Sequence, residues 1–263
     1  MDFQIVFESI LVNWSLLLLF FTAAILYSSV GFGGGSSYLA ILAFAGIAFT
    51  QVRITALLCN IVVVSGNVLL FYQQKKIPWK KLIPLVIWSI PLAYLGGKIA
   101  IDQSFYFILL GFTLLFAGFS MWASKRFVSG RKERMRLNVA KNATYGGFIG
   151  FLSGMVGIGG GIFLAPLLHL TNWDTPRKIA ATASFFILVN SIAGVFGQYN
   201  NPDFHIDWTL TSILLVTVFI GGQIGSRVSN TLLTPILLKK TTGILIGFVS
   251  IRIIYKHLSP LFF

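Results

Sequence analysis

Val30-Gly31-Phe32-Gly33-Gly34-Gly35 occurs near the start of the chain, and Val156-Gly157-Ile158-Gly159-Gly160-Gly161 occurs past its middle. Each copy interrupts a long apolar run in a chain built almost entirely of apolar runs. In lipid, backbone opened by clustered glycines has to be buried in protein or line a polar cavity. One such break in each half of a polytopic chain is the sequence pointer to a transporter's binding site.

Composition sets the class. Apolar residues make up 56% of the 263, charged residues only 10%, and mean hydropathy is +0.84. Soluble domains average about 25% charged residues, so the chain reads as an all-α polytopic membrane protein. The net charge of +13 would suit nucleic acid, but the basic residues sit in short loops between apolar spans, the positive-inside pattern of a membrane protein. The run 16–27 does not read as a signal peptide: it follows Asp2 and Glu8 rather than a basic segment, and no small-residue cleavage site follows it. Cys59 is the single cysteine, which excludes an intrachain disulfide and a cysteine-clustered metal site.

Working outward from the glycines, the apolar segments form two series: 14–30, 36–48, 54–74, 82–100 and 104–122, then 142–156, 160–172, 179–198, 208–226 and 237–256. Other landmarks repeat in the same order: Arg53 with Arg177, Tyr72 with Tyr199, Ile77-Pro78-Trp79 with Ile206-Asp207-Trp208, and Gly96 with Gly225. This divides the chain into an N-terminal repeat (1–124), a basic cytoplasmic linker (125–141) and a C-terminal repeat (142–263), together one transporter domain.

Charge orients the halves. The loop with Lys75, Lys76, Lys80 and Lys81 reads as cytoplasmic; its counterpart, 200–207, has no Lys or Arg and carries Asp203 and Asp207. That reversal implies inverted repeats. Inversion needs an odd number of crossings per half, which follows if each broken segment is a hairpin with both ends on one side. Sixteen of the twenty Lys and Arg then fall on the cytoplasmic side, leaving Arg53, Lys98, Arg252 and Lys256 outside. A plain eight-crossing chain splits them thirteen to seven and puts the acidic loop in the cytoplasm. A crossing takes about 20 residues, so the short arms 36–48 and 160–172 are expected to be re-entrant, with glycine tips near the midplane; tilted full spans would preserve the inversion.

The candidate site follows from the chemistry of these breaks. A helix starting after a glycine turn presents free N–H groups and the positive end of its dipole, so helices starting near Ser36 and Ile162 would aim two positive ends at the centre, an anion site. Gly33, Gly34, Gly35, Ser36 and Ser37 form the first tip, and Gly159, Gly160 and Gly161 the second. Polar residues in the following helices, Asn60, Thr182, Ser184, Asn190 and Ser191, supply neutral donors that hold an oxyanion without a trapping countercharge. The structural alternative is close helix packing through small residues, with interhelical hydrogen bonds worth about 0.6 kcal/mol each. Arg53 and Arg177 form a related pair at the two mouths of a pathway; snorkelling is the alternative. All seven acids fall in loops or tails, so a carboxylate proton relay is not expected. His169, His205 and His257 lie at segment ends and read as surface or interfacial; no metal or cofactor is expected.

VGFGGGS and MVGIGGG, each followed by a short helix and a basic-then-Thr/Ser segment (Arg53-Ile54-Thr55; Arg177 to Ser184), resemble the TauE/SafE family of sulfite exporters, also called the TSUP group. The resemblance covers about residues 14–256. It implies a multi-pass plasma (inner) membrane transporter, not an enzyme, whose partners are the lipid bilayer and a small anionic substrate, sulfite or an organosulfonate. The resulting expectation is export of that oxyanion by alternating access. Uptake of a sulfur compound such as sulfoacetate or thiosulfate is the alternative within transport. A non-transporting membrane scaffold is the alternative from another class. An intramembrane hydrolase would need a histidine at membrane depth and a G-x-S-x-G elbow, and has neither. Oligomeric state is left open.

Overall fold

A computed structural model describes residues 3–123, 139–171, 173–228 and 247–257. Ten helices are bounded there: α1 (Phe3–Val12), α2 (Trp14–Ser29), α3 (Gly35–Phe44), α4 (Phe49–Gln73), α5 (Trp79–Lys98), α6 (Gln103–Ala123), α7 (Val139–Val156), α8 (Gly161–Leu170), α9 (Pro176–Tyr199) and α10 (Trp208–Val228). Residues 247–257 are helical too, and no strand occurs among the described residues. Helix α1 answers to no expected segment. Most of the linker 125–141, and 237–246 of the last apolar segment, lie outside the described residues.

Helices α4, α9 and the stretch Trp208–Arg227 of α10 are each long and apolar enough to cross a membrane. Large apolar side chains, among them Leu69, Ile87, Trp88, Phe116, Phe219 and Phe248, point outward, more than half exposed except Ile220 beside them at 49%. Such a surface suits lipid and not water. The protein is an all-α polytopic membrane protein.

Helices α4 and α9 cross at the centre and run antiparallel. Gly194, late in α9, lies against Leu57, early in α4; Ser184, early in α9, bonds to Gly31, which abuts Phe71, late in α4. Each has a parallel companion from the other half. Gly197 of α9 abuts the backbone of Tyr94 and Lys98 in α5, and Gly222 of α10 abuts Val63 of α4. The first arms pair the same way: α7 with α5, and α2 with α10.

Glycine makes these pairings close. Gly146, Gly150 and Gly154, spaced by four on α7, meet the backbone carbonyls of Leu85, Ser89 and Ala93, spaced by four on α5. Gly221 and Gly225 of α10 meet the carbonyls of Phe21 and Ile25 on α2. Small residues at a four-residue interval remove the side-chain layer, so the helices gain contact through their backbones.

These directions sort the loops to two ends. Lys75, Lys76, Lys80, Lys81, Arg177, Lys178 and Arg227 stand at one end, hereafter the basic end; Asp102, Asp203 and Asp207 stand at the other, the acidic end, with Lys98. At the basic end Lys81 Nζ bonds to Asp174 Oδ2 at 2.9 Å and to the Trp173 carbonyl at 2.8 Å, tying the start of α5 to the loop after α8. Lys178 stands 3.9 Å from the same carboxylate. Burial would raise the Asp174 carboxyl, but the hydrogen bonds from Lys81 and the Thr175 N–H and the charges of Lys81 and Lys178 hold it below its usual value.

Two outcomes follow from this packing. Gly150→Ala places a Cβ against the Ser89 backbone, whereas Gly147→Ala meets only the tip of Leu92. Overpacking typically costs about 1–3 kcal/mol, so thermal melts of purified protein should show a clear loss for Gly150→Ala and a small one for Gly147→Ala. Because the Asp174 carboxyl is depressed on folding, its stabilisation is complete above the unfolded value of about 4 and is lost as pH falls through the folded one. Asp174→Asn should lower the melting temperature at neutral pH and flatten its fall on acidification.

Candidate functional site

Gly31 (φ +86°) and Gly34 (+87°) turn the chain after α2, and Gly157 (+86°), Gly159 (+82°) and Gly160 (+78°) turn it after α7. Gly34 and Gly160 are the N-caps of α3 and α8. Left-handed backbone costs other L-residues about 1–2 kcal/mol, which is why both caps are glycine. The two loops meet beside Asn60, midway along α4. Asn60 Nδ2 donates to the Ile158 carbonyl at 3.2 Å. Gly35 lies against that same carbonyl and against Asn60, and Gly159 lies against Asn60, Ile187 and Ser191. From here α3 runs toward the acidic end and α8 toward the basic end, so two helix N-termini meet near the centre of the bundle.

The short arms are therefore α3 and α8, each 10 residues and each starting at mid-bundle. Helix α2 reaches further, to the level of Asn67, which accepts from Ser28 Oγ at 3.3 Å. The chain then doubles back through residues 30–34 to reach Asn60.

Polar pairing in the breaks is one-sided. Carbonyls freed at the ends of the first arms are capped by side chains: Gly31 O by Ser184, Val156 O by Tyr106 Oη at 3.2 Å, and Ile158 O by Asn60. The first N–H groups of α3 and α8 have no acceptor within their helices, and the dipoles place partial positive charge there. Three freed backbone carbonyls are thus taken by side chains, while α3 and α8 begin without a side-chain cap.

A cavity of about 560 Å³ opens at this point. Gly33, Gly34, Gly35, Ser36, Asn60, Gly161 and Ile187 form its inner part, and Ile162, Ala165, Pro166 and His169 carry it along α8. Tyr27 completes it, its hydroxyl 3.2 Å from Ser36 Oγ and accepting from Ser37 Oγ at 3.1 Å. No lining residue is Asp, Glu, Lys or Arg. Asn60 Oδ1 and Ser191 Oγ are buried without a hydrogen-bond partner.

The other residues singled out in the sequence are placed differently. Gly160 packs against Phe186, Ile149 and Ser153. Thr182 donates to the Lys178 carbonyl, Ser184 to those of Gly31 and Ala180, and Asn190 to that of Phe186. Ser37 and Ser191 are buried beside the site without lining it. Arg53 and Arg177 part company. Arg177 is exposed at the basic end. Arg53 is 2% exposed; its Nη2 donates to the Gly97 and Gly154 carbonyls at 3.3 and 3.5 Å, and its guanidinium lies 5.8 Å from the Tyr106 ring centre. It borders a second cavity of about 270 Å³ at the acidic end.

Tyr27, Phe32, Pro166 and His169 line the first cavity without having been singled out for it. Tyr27 carried a usable signal, standing one helical turn before Gly31. His169, expected at the surface or interface, stands partly exposed at the end of α8 and lines the outer part of the cavity. Among the described residues no group of three or more His, Cys, Asp and Glu could hold a metal ion.

The sequence profile described as Sulfite exporter TauE/SafE matches residues 16–253, across both glycine loops and both central helices. The chain belongs to the TauE/SafE family. It is similar to the Probable membrane transporter protein y4hK of Sinorhizobium fredii, 29% identical over 246 residues, covering 90% of this chain and 96% of that one. A probable membrane transporter protein of Haemophilus influenzae is 27% identical over 74% of this chain and 71% of its own. One from Methanocaldococcus jannaschii is 25% identical over 88% and 91%. No solved structure matches. The TauE/SafE chain is a multi-pass membrane transporter and not an enzyme.

Gly35→Ala tests the convergence of the loops, since the new Cβ would stand 2.7 Å from the Ile158 oxygen and collide with Asn60. The variant should insert and remain monodisperse by size exclusion, yet lose at least about tenfold of transport rate, as expected when a site shifts by about an ångström.

Proposed function

We propose that this TauE/SafE protein carries a small sulfur oxyanion, sulfite or an organosulfonate, outward across the inner membrane by alternating access. The observation that carries the reading is the one-sided pairing at the glycine loops. Two helix N-termini converge on a cavity that has amide, hydroxyl and side-chain amide groups and no carboxylate. That chemistry favours an anion and offers a cation no charged ligand.

The halves act as inverted repeats. The antiparallel crossing of α4 and α9, with the α5–α7 pairing matched by α10–α2, supports that description. The basic end, with the linker, is the cytoplasmic face by the charge rule. Direction follows from the membrane potential: an inside-negative potential of about 100 mV favours anion exit by about 2.3 kcal/mol per charge. Export then needs no coupling ion, and the cavity has no carboxylate to bind one. Flanking helices would rock about the Asn60 crossing to expose the site to either face.

Flux from proteoliposomes under an imposed potential tests the reading with sulfite, sulfate, thiosulfate, sulfoacetate and taurine. Saturable, potential-driven sulfite efflux is expected, reduced at least about tenfold in Asn60→Leu, as for loss of a buried donor to an ion. Flux of another compound alone would change the substrate. No flux from folded protein would return the glycine loops to a packing role.

A further inference from the structure

Arg53 is a buried cation whose electrostatic partners do not balance it. At 2% exposure it has no carboxylate within ion-pair distance among the described residues, where ion pairs form only at Asp174. Its contacts are two backbone carbonyls at 3.3 and 3.5 Å, both through Nη2, and the face of Tyr106. Nε is buried with no partner. A guanidinium has five donors, and a buried charge is costly unless paired. Gln198, 4% exposed, also has its Nε2 buried and unpartnered. Both residues border the same cavity of about 270 Å³, with Phe49, Ile101 and Phe204.

We infer that this cavity is a second anion subsite, at the acidic end of the bundle, which holds the transported oxyanion after it leaves the glycine loops. The inference rests on the anion-transport reading above. The chemistry matches: a guanidinium fork and an amide N–H present convergent donors to the oxygens of one small anion. Between the two cavities, Arg53 bonds to the Gly154 carbonyl at the end of α7, three residues before the second glycine loop begins at Gly157. An arriving anion would compete with the carbonyls of α5 and α7 for the guanidinium, loosening the contact that closes this end.

Two other groups border the cavity and bear on the sign. Asp203 and His205 are exposed at its rim. Asp203 repels an anion entering from that end, while its backbone N–H is held by Asn201 Oδ1 at 2.9 Å.

The test is sidedness. Sulfite is offered to sealed vesicles of known orientation, first at the face bearing the 201–207 loop and then at the opposite face, and the KM at each is measured. Arg53→Gln should raise KM at the 201–207 face about tenfold, the usual effect of losing a charge-assisted hydrogen bond, and less than about twofold at the other. Arg53→Lys should fall between, Gln198→Leu should raise the same KM by a smaller factor, and Asp203→Asn should lower it. Equal shifts at both faces, or none, overturn the subsite and leave sulfite transport standing. An Asp203→Asn variant that behaves like Arg53→Gln also overturns it, by making Asp203 the arginine's partner. Wild-type protein without sulfite flux removes the transport reading and the subsite together. If Arg53→Gln does not fold, Gln198→Leu carries the same comparison.

Discussion

Every backbone N–H and C=O within lipid has to find its partner inside the protein, and the rest of this structure depends on that constraint. Helices satisfy it automatically; the two glycine loops do not. The carbonyls released at the loops are taken by Ser184, Tyr106 and Asn60. Three helices are thereby drawn onto the breaks: α9, α6 and α4. The donors at the starts of α3 and α8 receive no such caps, and the cavity forms where they converge. What remains is a pair of uncapped helix N-termini beside a cavity whose lining has no carboxylate.

The second organising element is backbone-to-backbone packing. Hydrophobic burial gives membrane helices little reason to associate, since lipid tails are as apolar as leucine; close van der Waals contact supplies the attraction. The glycine ladder of α7 on α5 and that of α10 on α2 join helices from opposite halves. Each half is therefore completed by the other. The arm that precedes a glycine loop in one half is held by a helix of the other half, which links the two loops mechanically.

The two halves are nonetheless unequal. Helix α3 begins Gly35-Ser36-Ser37 and is buried over most of its length, whereas α8 begins Gly161-Ile162-Phe163 and is partly exposed. The larger cavity follows α8 toward the basic end as far as His169. Arg53 is enclosed at the acidic end while Arg177 is exposed at the basic end. The two ends thus differ, with Arg53 bonded to the Gly97 and Gly154 carbonyls at the acidic one.

Much of this was legible in the chain. Hydropathy delimits the segments because a lipid-crossing helix has to be apolar along its whole length. The glycine motifs mark the breaks, because glycine alone takes left-handed backbone at little cost. The charge reversal between 75–81 and 200–207 sorts the loops, because Lys and Arg resist translocation. The four-residue glycine ladder of α7 was equally readable, and it accounts for the closeness of α5 and α7. Which polar residues meet was not readable from order alone. Asn60 and Ser191 are 131 positions apart by number, yet both touch Gly159, while Thr182 and Ser184 turn to carbonyls. Arg53 and Arg177 occupy matching places in the order and opposite environments in space. The sequence by itself determined the membrane class, the two breaks and their family. The tertiary structure decided which side chains cap the broken backbone and which are left facing the cavity, because hydrogen-bond pairing depends on the crossing of α4 and α9, a contact between distant segments that no local pattern encodes.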